Sequence, residues 1–125
     1  MDVNIDNVKS YLLEKEKKEI FQRQEERDVV ILKLKALDFI WDNYRINKVY
    51  LYGSFADMTF NGYSDIDIAI EPEIPFRELL KLFSEINKHI EHEVDVRILA
   101  ELPFSEKVKR EGIVLYERKN SDTQK

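Results

Sequence analysis

Two acidic patterns in the sequence have a spacing that could bring carboxylates together. Asp65 and Asp67 lie in the run Asp65–Ile70, where acidic and apolar residues alternate. Because successive side chains on a β-strand point to opposite faces, both carboxylates would share one face and the isoleucines would take the other. Adjacent carboxylates repel each other unless a cation lies between them, and hard oxygen ligands suit Mg²⁺. The pair therefore predicts a magnesium-binding strand.

The second pattern is Val94-Asp95-Val96, in which the valines would face inward and Asp95 outward. If this strand neighbours the one that carries Asp65 and Asp67, Asp95 completes a cluster of three carboxylates. We expect such a cluster to act on a phosphate group, since Mg²⁺ in proteins commonly binds one or two carboxylates together with substrate phosphates.

A Gly-Ser pair at the end of a predicted strand supplies a phosphate-binding feature. Gly53 would let the backbone turn tightly and approach a ligand, while Ser54 offers a hydroxyl and a backbone N–H to a phosphate. Each feature alone is common, since Gly-Ser turns and acidic strand faces occur in many proteins. The combination is more specific: Gly-Ser, ten residues, Asp-x-Asp, one helix and then a Val-Asp-Val strand.

The composition of the N-terminal third of the sequence favours helix. Residues 5–44 contain no Gly or Pro, and Asn4 or Asp6 could cap the start of the helix. We expect two helices, or one long helix with an exposed middle, ending near residues 43–47. Apolar residues spaced by four, three, four and three predict a buried stripe: Val30, Leu34, Leu37, Trp41 and Tyr44.

The remaining sequence alternates strands and helices. The predicted strands are Lys48–Tyr52, Asp65–Ile70, Val94–Leu99 and Ile113–Tyr116, and the predicted helices are Phe76–His92 and Ser105–Arg110. This order predicts an α/β (α+β) fold, a small mixed sheet with helices packed mainly on one face. We divide the chain into an N-terminal helical extension (1–27), one catalytic domain (28–117) and a polar tail (118–125).

Composition narrows the function classes. A chain of 125 residues has room for one domain, and a net charge of −5 argues against a direct nucleic-acid partner. No apolar run approaches the roughly 18 residues that span a bilayer, and the N-terminus lacks the pattern of a signal peptide, so we expect no membrane and a cytoplasmic location. Cysteine is absent, which excludes disulfides and thiolate metal sites.

The spacing of Gly53-Ser54 and Asp65-x-Asp67 resembles the signature of the DNA polymerase β-type nucleotidyltransferase superfamily. With this length and this helix–strand order from about residue 28 to residue 117, the chain is similar to the minimal nucleotidyltransferase (MNT) family. Members of that family are typically encoded beside HEPN-domain proteins. In several such pairs the HEPN protein is an RNase toxin, and the MNT protein is an antitoxin that transfers AMP from ATP to a tyrosine of the toxin.

The resemblance implies a role for each matching residue. Gly53 and Ser54 would hold the triphosphate of ATP, while Asp65, Asp67 and Asp95 would bind two Mg²⁺ ions and carry the catalysis. It also implies a HEPN toxin as protein partner in a hetero-oligomer. We expect the extension to help hold that partner, or a second copy of this chain, through its apolar residues: Tyr11, Leu12, Leu13, Ile20 and Phe21.

One position departs from the family pattern. Many relatives carry an arginine three residues after the motif serine, whereas this chain has Asp57, which suits a helix cap in the loop. Arg97 lies two residues from Asp95 on the same strand face and is our candidate for the missing charge at the nucleotide. It could equally form a salt bridge that neutralises the carboxylates.

Two other functions stay open because of this departure. The chain could be an antitoxin that neutralises its toxin by occlusion, with weak or no catalysis. It could also be the subunit of a nucleotidyltransferase that acts on a small molecule.

Overall fold

The computed structural model describes residues 4–61 and 63–119. They form a four-stranded mixed sheet with helices packed against it. The strands are β1 (Lys48–Tyr52), β2 (Ile66–Glu71), β3 (Val94–Ile98) and β4 (Ile113–Glu117), in the order β3-β2-β1-β4. Strand β1 runs antiparallel to β2 and β4, whereas β2 and β3 are parallel. The parallel pair requires a crossover connection, and a helix provides it.

Within these described residues, five helices and one 3₁₀ turn accompany the sheet. They are α1 (Ile5–Lys35), α2 (Asp38–Asn43), α3 (Ser54–Asp57), α4 (Phe76–Asn87), the 3₁₀ turn (Leu99–Glu101) and α5 (Ser105–Glu111). The predicted fold class, a small mixed sheet with helices, is confirmed.

The end of α4 differs from the prediction, which extended this helix to His92. The side chain of Asn87 ends the helix by bridging it to β3. Its amide nitrogen donates to the carbonyls of Phe83 and Val94, and its oxygen accepts from the Val94 N–H at 2.9 Å. The two bonds to Val94 give partners to backbone groups of β3, an edge strand of the sheet.

One face of the sheet forms the core. Ile66, Ile68 and Ile70 point into it as predicted, and all are fully buried. The predicted stripe packs against this face: Val30, Leu34, Leu37 and Trp41 are buried, and Tyr44 is partly buried. The buried indole N–H of Trp41 donates to the Leu34 carbonyl, so burying this ring leaves no polar group unpaired.

The N-terminal region forms two helices, but the break does not lie in the exposed middle. α1 is one continuous helix of 31 residues that ends at Lys35, and the short helix α2 follows and ends at Asn43, within the predicted range. Asn4 caps α1, and its side chain accepts from the backbone N–H groups of Asp6 and Asn7. Residues 4–29 contribute no buried side chain, so the exposed middle is confirmed. Residues 1–3 of the predicted extension and 120–125 of the predicted tail lie outside the described residues. The boundary at residues 27 and 28 stays a prediction.

The opposite face of the sheet carries α5 and a small second cluster of buried residues: Tyr50, Ala69, Leu99 and Val108. Gly112 lets the end of α5 approach β1. A Cβ atom there would lie 2.5 Å from the Val108 carbonyl oxygen and 3.2 Å from that of Leu51. The helices therefore cover mainly, but not only, one face. Of the helices described, none is long and apolar enough to cross a membrane.

Two phenylalanines allow a test of which side chains form the core and which lie on the exposed part of α1. Phe55 on α3 is fully buried and stacks on Phe60 with ring centroids 4.0 Å apart, whereas Phe21 on α1 is 59% exposed. We expect Phe55→Ala to lower the free energy of unfolding by about 3–5 kcal/mol. Phe21→Ala should change it by no more than about 0.5 kcal/mol. Urea unfolding of both variants measures the difference, and equal losses would contradict the assignment.

Candidate active site

The face opposite the isoleucines carries a row of three polar side chains, Tyr52, Asp67 and Asp95. In the parallel β2–β3 pair, Asp67 lies directly across from Asp95, and in the antiparallel β1–β2 pair Tyr52 lies directly across from Asp67. Paired residues of neighbouring strands point to the same face, so both carboxylates and the phenol are neighbours. Each of them is partly buried.

Asp65 is placed differently from the prediction. Strand β2 begins at Ile66, so Asp65 precedes it and is exposed. Its charge nevertheless acts on Asp67, because Asp65 is one of the carboxylates that raise the pKa of Asp67. The structure thus brings Asp67 and Asp95 together on adjacent strands and leaves Asp65 at the edge of the row.

In the absence of a cation, burial and the repulsion between carboxylates disfavour the charged form of Asp67. The pKa of Asp67 is raised, first by burial and then by the negative charges of Asp95 and Asp65, while Arg97 lowers it. Burial, followed by the charges of Asp67 and Asp95, raises the pKa of Tyr52 to about 12. Tyr52 is therefore a neutral hydrogen-bond donor at neutral pH. A cation near these carboxylates would relieve the repulsion.

Gly53 brings the backbone against this row of carboxylates. It has φ 75° and ψ −151°, a conformation that favours glycine, and it immediately precedes α3. A Cβ atom at this position would lie 2.5 Å from Asp67 Oδ2. Glycine is therefore required here both by its backbone angles and by the space that the carboxylate occupies. Ser54, partly buried, follows as the first residue of α3.

Arg97 forms the salt bridge that was one of its two predicted roles. Its Nε donates to Asp95 Oδ2 at 2.9 Å. The arginine side chain is 61% exposed and the aspartate side chain 35% exposed, so the guanidinium is accessible at the edge of the site. Its predicted contact with a nucleotide stays a prediction.

The oxygen donors fit a magnesium site that is completed by substrate. Within residues 4–61 and 63–119, no three His, Cys, Asp or Glu side chains form a group that could hold a metal ion. Asp95 is bonded to Arg97, and Asp65 lies before the strand. Mg²⁺ requires only one or two carboxylates when phosphates and water supply its other ligands. The three-carboxylate cluster stays a prediction.

Asp57, the last residue of α3, and Ser64, in the loop before β2, have local structural roles. Asp57 Oδ1 accepts from both the N–H and the hydroxyl of Thr59, at 3.1 and 2.6 Å, and so stabilises the turn after α3. The hydroxyl of Ser64 accepts from the Asn61 N–H. Asp57 therefore has a structural role like the one that its sequence position suggested, although it bonds to a residue after the helix.

Neither Tyr52 nor Phe104 was among the site residues predicted from the sequence. The structure places Tyr52 beside the carboxylates and packs its ring against Phe104, with centroids 5.8 Å apart. The alternation of β1 could have identified Tyr52, because Val49 and Leu51 face the core and Tyr52 must face the other side. No comparable pattern marks Phe104.

Residues 35–121, more than half of the chain, match the family described as polymerase beta, nucleotidyltransferase. The chain therefore belongs to this family, and the predicted enzyme class, a nucleotidyltransferase, is confirmed. No curated protein matches the chain significantly by sequence.

Solved structures share the fold at low sequence identity. A toxin–antitoxin complex with AMP-PNP contains a chain that is 20% identical, with a TM-score of 0.56 over 74% of this chain and 78% of that chain. The tri-AMPylated Shewanella oneidensis HEPN toxin in complex with MNT antitoxin gives 18% identity and 0.52, over 74% and 76%. The MntA–HepT toxin–antitoxin gives 18% and 0.52, over 74% and 77%.

The strained carboxylate row leads to a stability prediction. At pH 7 and without divalent metal, Asp67→Asn should raise the thermal unfolding midpoint by roughly 2 °C, a modest gain because the charge is partly exposed and screened. A raised folded-state pKa means that protonation of Asp67 stabilises the fold. That contribution is complete below the unfolded pKa and is lost as pH rises through the folded pKa. The advantage of the variant should therefore shrink toward about pH 4.

Asp28→Asn removes an exposed carboxylate from α1 and is the matched control, with no expected gain. A lower unfolding midpoint for Asp67→Asn at pH 7 would show that the charged carboxylate stabilises the metal-free fold, contrary to this account.

Proposed function

We propose that this nucleotidyltransferase is a Mg²⁺-dependent antitoxin that transfers AMP from ATP to a hydroxyl group, that of a tyrosine side chain, on a cognate HEPN RNase toxin. The observation that carries the proposal is the pairing of Asp67 with Asp95 across β2 and β3, with the Gly53 backbone against Asp67. Low identity means that the structural neighbours contribute the fold alone. Their AMP-PNP and their AMPylated toxin suggest which substrates to test.

In this proposal the carboxylate row holds the metal. Asp65, Asp67 and Asp95 would bind two Mg²⁺ ions, which when bound neutralise the triphosphate and lower the pKa of the acceptor hydroxyl. The raised pKa of Asp67 supports the assignment, because a cation would favour the charged carboxylate that the metal-free protein disfavours.

The chain's own residues bind the nucleotide and move the proton. The backbone at Gly53 and Ser54 binds the triphosphate, and the neutral phenol of Tyr52 can donate to an oxygen of the substrate. The acceptor oxygen attacks the α-phosphorus, the bond to the bridging oxygen breaks, and pyrophosphate leaves. Asp95 accepts the proton of the acceptor hydroxyl. For this, Arg97 must break its hydrogen bond to Asp95 and turn toward the phosphates.

The protein partner would contact the exposed part of α1. Tyr11, Leu12, Leu13, Ile20 and Phe21 are between 43% and 66% exposed, which is unusual for a run of large apolar residues on one helix. We assign this segment to the hetero-oligomer with the toxin and place the reaction in the cytoplasm, with no direct contact to nucleic acid or membrane.

An antitoxin that acts by occlusion, with weak or no catalysis, is the second candidate. Asp57 stands where a basic residue is expected, and Arg97 is bonded to Asp95 rather than free to meet a phosphate. A mass increase of one or more AMP units on the partner separates the two candidates, and an acceptor other than protein would favour a small-molecule substrate.

The metal assignment is tested by removing both charges of the Asp-x-Asp pair. Asp65→Asn with Asp67→Asn should lower Mg²⁺-dependent AMP transfer by about 100-fold or more, because the metals supply several kcal/mol of transition-state stabilisation. Circular dichroism should show an intact fold. The matched control, Asp28→Asn with Asp38→Asn, removes two exposed carboxylates away from the row and should retain activity. Full activity in the first double variant would contradict the assignment.

The role of Arg97 can be separated from its salt bridge. Arg97→Ala should weaken ATP binding about tenfold, the effect of losing a charge-assisted hydrogen bond, as measured by calorimetry. The thermal unfolding midpoint should change little, since exposed ion pairs contribute about 0–1 kcal/mol. Arg110→Ala, an exposed arginine on α5, is the control. A lower unfolding midpoint with unchanged ATP affinity would assign Arg97 to structure only.

A further inference from the structure

A cavity of about 610 Å³ lies next to the carboxylate row, between the start of α3 and helix α5. It shares Tyr52 and Gly53 with the site described above. Its size is within the range of pockets that hold small organic ligands, about 300–1,000 Å³. Any ligand bound at Gly53 therefore has this cavity directly beside it.

The walls of the cavity suit a flat aromatic ring. Tyr52, Ala56, Phe104 and Val108 supply aromatic and apolar surface. The rings of Tyr52 and Phe104 are tilted by 58° and are not stacked on each other, and Phe104 is 44% exposed. An exposed aromatic ring at the wall of a cavity is an available stacking surface.

The charged groups of the cavity oppose phosphate and favour amino groups. Asp57 and Glu111 contribute two carboxylates against the single ammonium group of Lys107. This balance is less favourable for a triphosphate than for an uncharged nucleoside, and the phosphates would lie on the side of Gly53 that faces Asp67. Carboxylates accept hydrogen bonds, and the exocyclic amino group of adenine, guanine or cytosine is a suitable donor.

Two further clefts among the described residues lack this position beside the carboxylates. A cleft of about 680 Å³ lies between α1 and residues 90–92 and shares no residue with the carboxylate row. A cleft of about 730 Å³ between the end of α2 and the start of α4 is equally separate. Neither cleft is lined by Gly53 or Ser54, the residues proposed to bind the phosphates.

We propose that the cavity between α3 and α5 is the nucleoside subsite of this enzyme, that Phe104 stacks on the base, and that the bound base carries an exocyclic amino group. The inference rests on the proposed function only in taking a nucleoside triphosphate as the substrate. It adds a binding residue, Phe104, outside the motif residues.

The test compares binding of a whole nucleotide with binding of its phosphate part. Calorimetry with AMP-PNP and with inorganic tripolyphosphate, both with Mg²⁺, is performed on the full chain. Phe104→Ala should weaken AMP-PNP binding roughly tenfold, as expected for the loss of one base–aromatic stack, and leave tripolyphosphate binding unchanged. Phe39→Ala is the matched control, because Phe39 is 58% exposed and packs edge-on against His89. It should leave both affinities unchanged.

The possible failures are distinguishable. Wild-type protein that binds no AMP-PNP overturns the proposed function and this inference together. Wild-type binding with equal affinity in Phe104→Ala overturns the nucleoside subsite alone, as does an equal loss of AMP-PNP and tripolyphosphate. In competition experiments UTP, which lacks an exocyclic amino group, should displace AMP-PNP less well than ATP does, and equal displacement overturns the choice of base.

Discussion

The register between β2 and β3 places Asp67 and Asp95 side by side on one face of the sheet, and the functional account depends on this pairing. Two partly buried carboxylates in adjacent positions destabilise the metal-free fold, as the raised pKa of Asp67 indicates. The rest of the domain must hold them there in spite of their repulsion. Shifting either strand by one residue would turn its aspartate toward the core and its apolar residues toward solvent.

The same alternation that exposes the carboxylates supplies the burial that holds them. Ile66 and Ile68 flank Asp67, Val94 and Val96 flank Asp95, and all four apolar side chains are buried. Burying one such side chain contributes about 1.5–3 kcal/mol, which exceeds the effect of a partly screened charge. Gly53 fits against Asp67 only because it has no Cβ. The turn at Gly53 and the position of the Asp67 carboxylate on β2 therefore depend on each other.

Most of the fold was accessible from local patterns in the sequence. Residue composition and alternation marked all four strands to within one residue at each end. The apolar spacing of residues 30–44 predicted the buried side of the N-terminal helices. The row of Asp67 and Asp95 was expected if the two strands were neighbours. The order β3-β2-β1-β4 supplied that condition, and strand order is a long-range property that alternation does not contain.

Features that depend on side-chain contacts between distant residues were not predicted. Asn87 ends α4 by bonding to Val94, so no local helix signal marks that end. The contact between Tyr52 and Phe104 exists because α5 folds over the second face of the sheet, where Gly112 permits close approach. The bond between Arg97 and Asp95, two residues apart on one strand, was by contrast one of the two roles expected for Arg97.

The central claim is that this site attacks the α-phosphorus of a nucleoside triphosphate. The most direct measurement incubates the chain with its HEPN partner, Mg²⁺ and ATP labelled at either the α- or the γ-phosphate. The account predicts that label from α-labelled ATP becomes covalently attached to the partner and that γ-label is released as pyrophosphate. Attachment of γ-label would identify a kinase reaction, and attachment of neither label would show that the carboxylate row does not transfer a nucleotide to this partner; both results contradict the account.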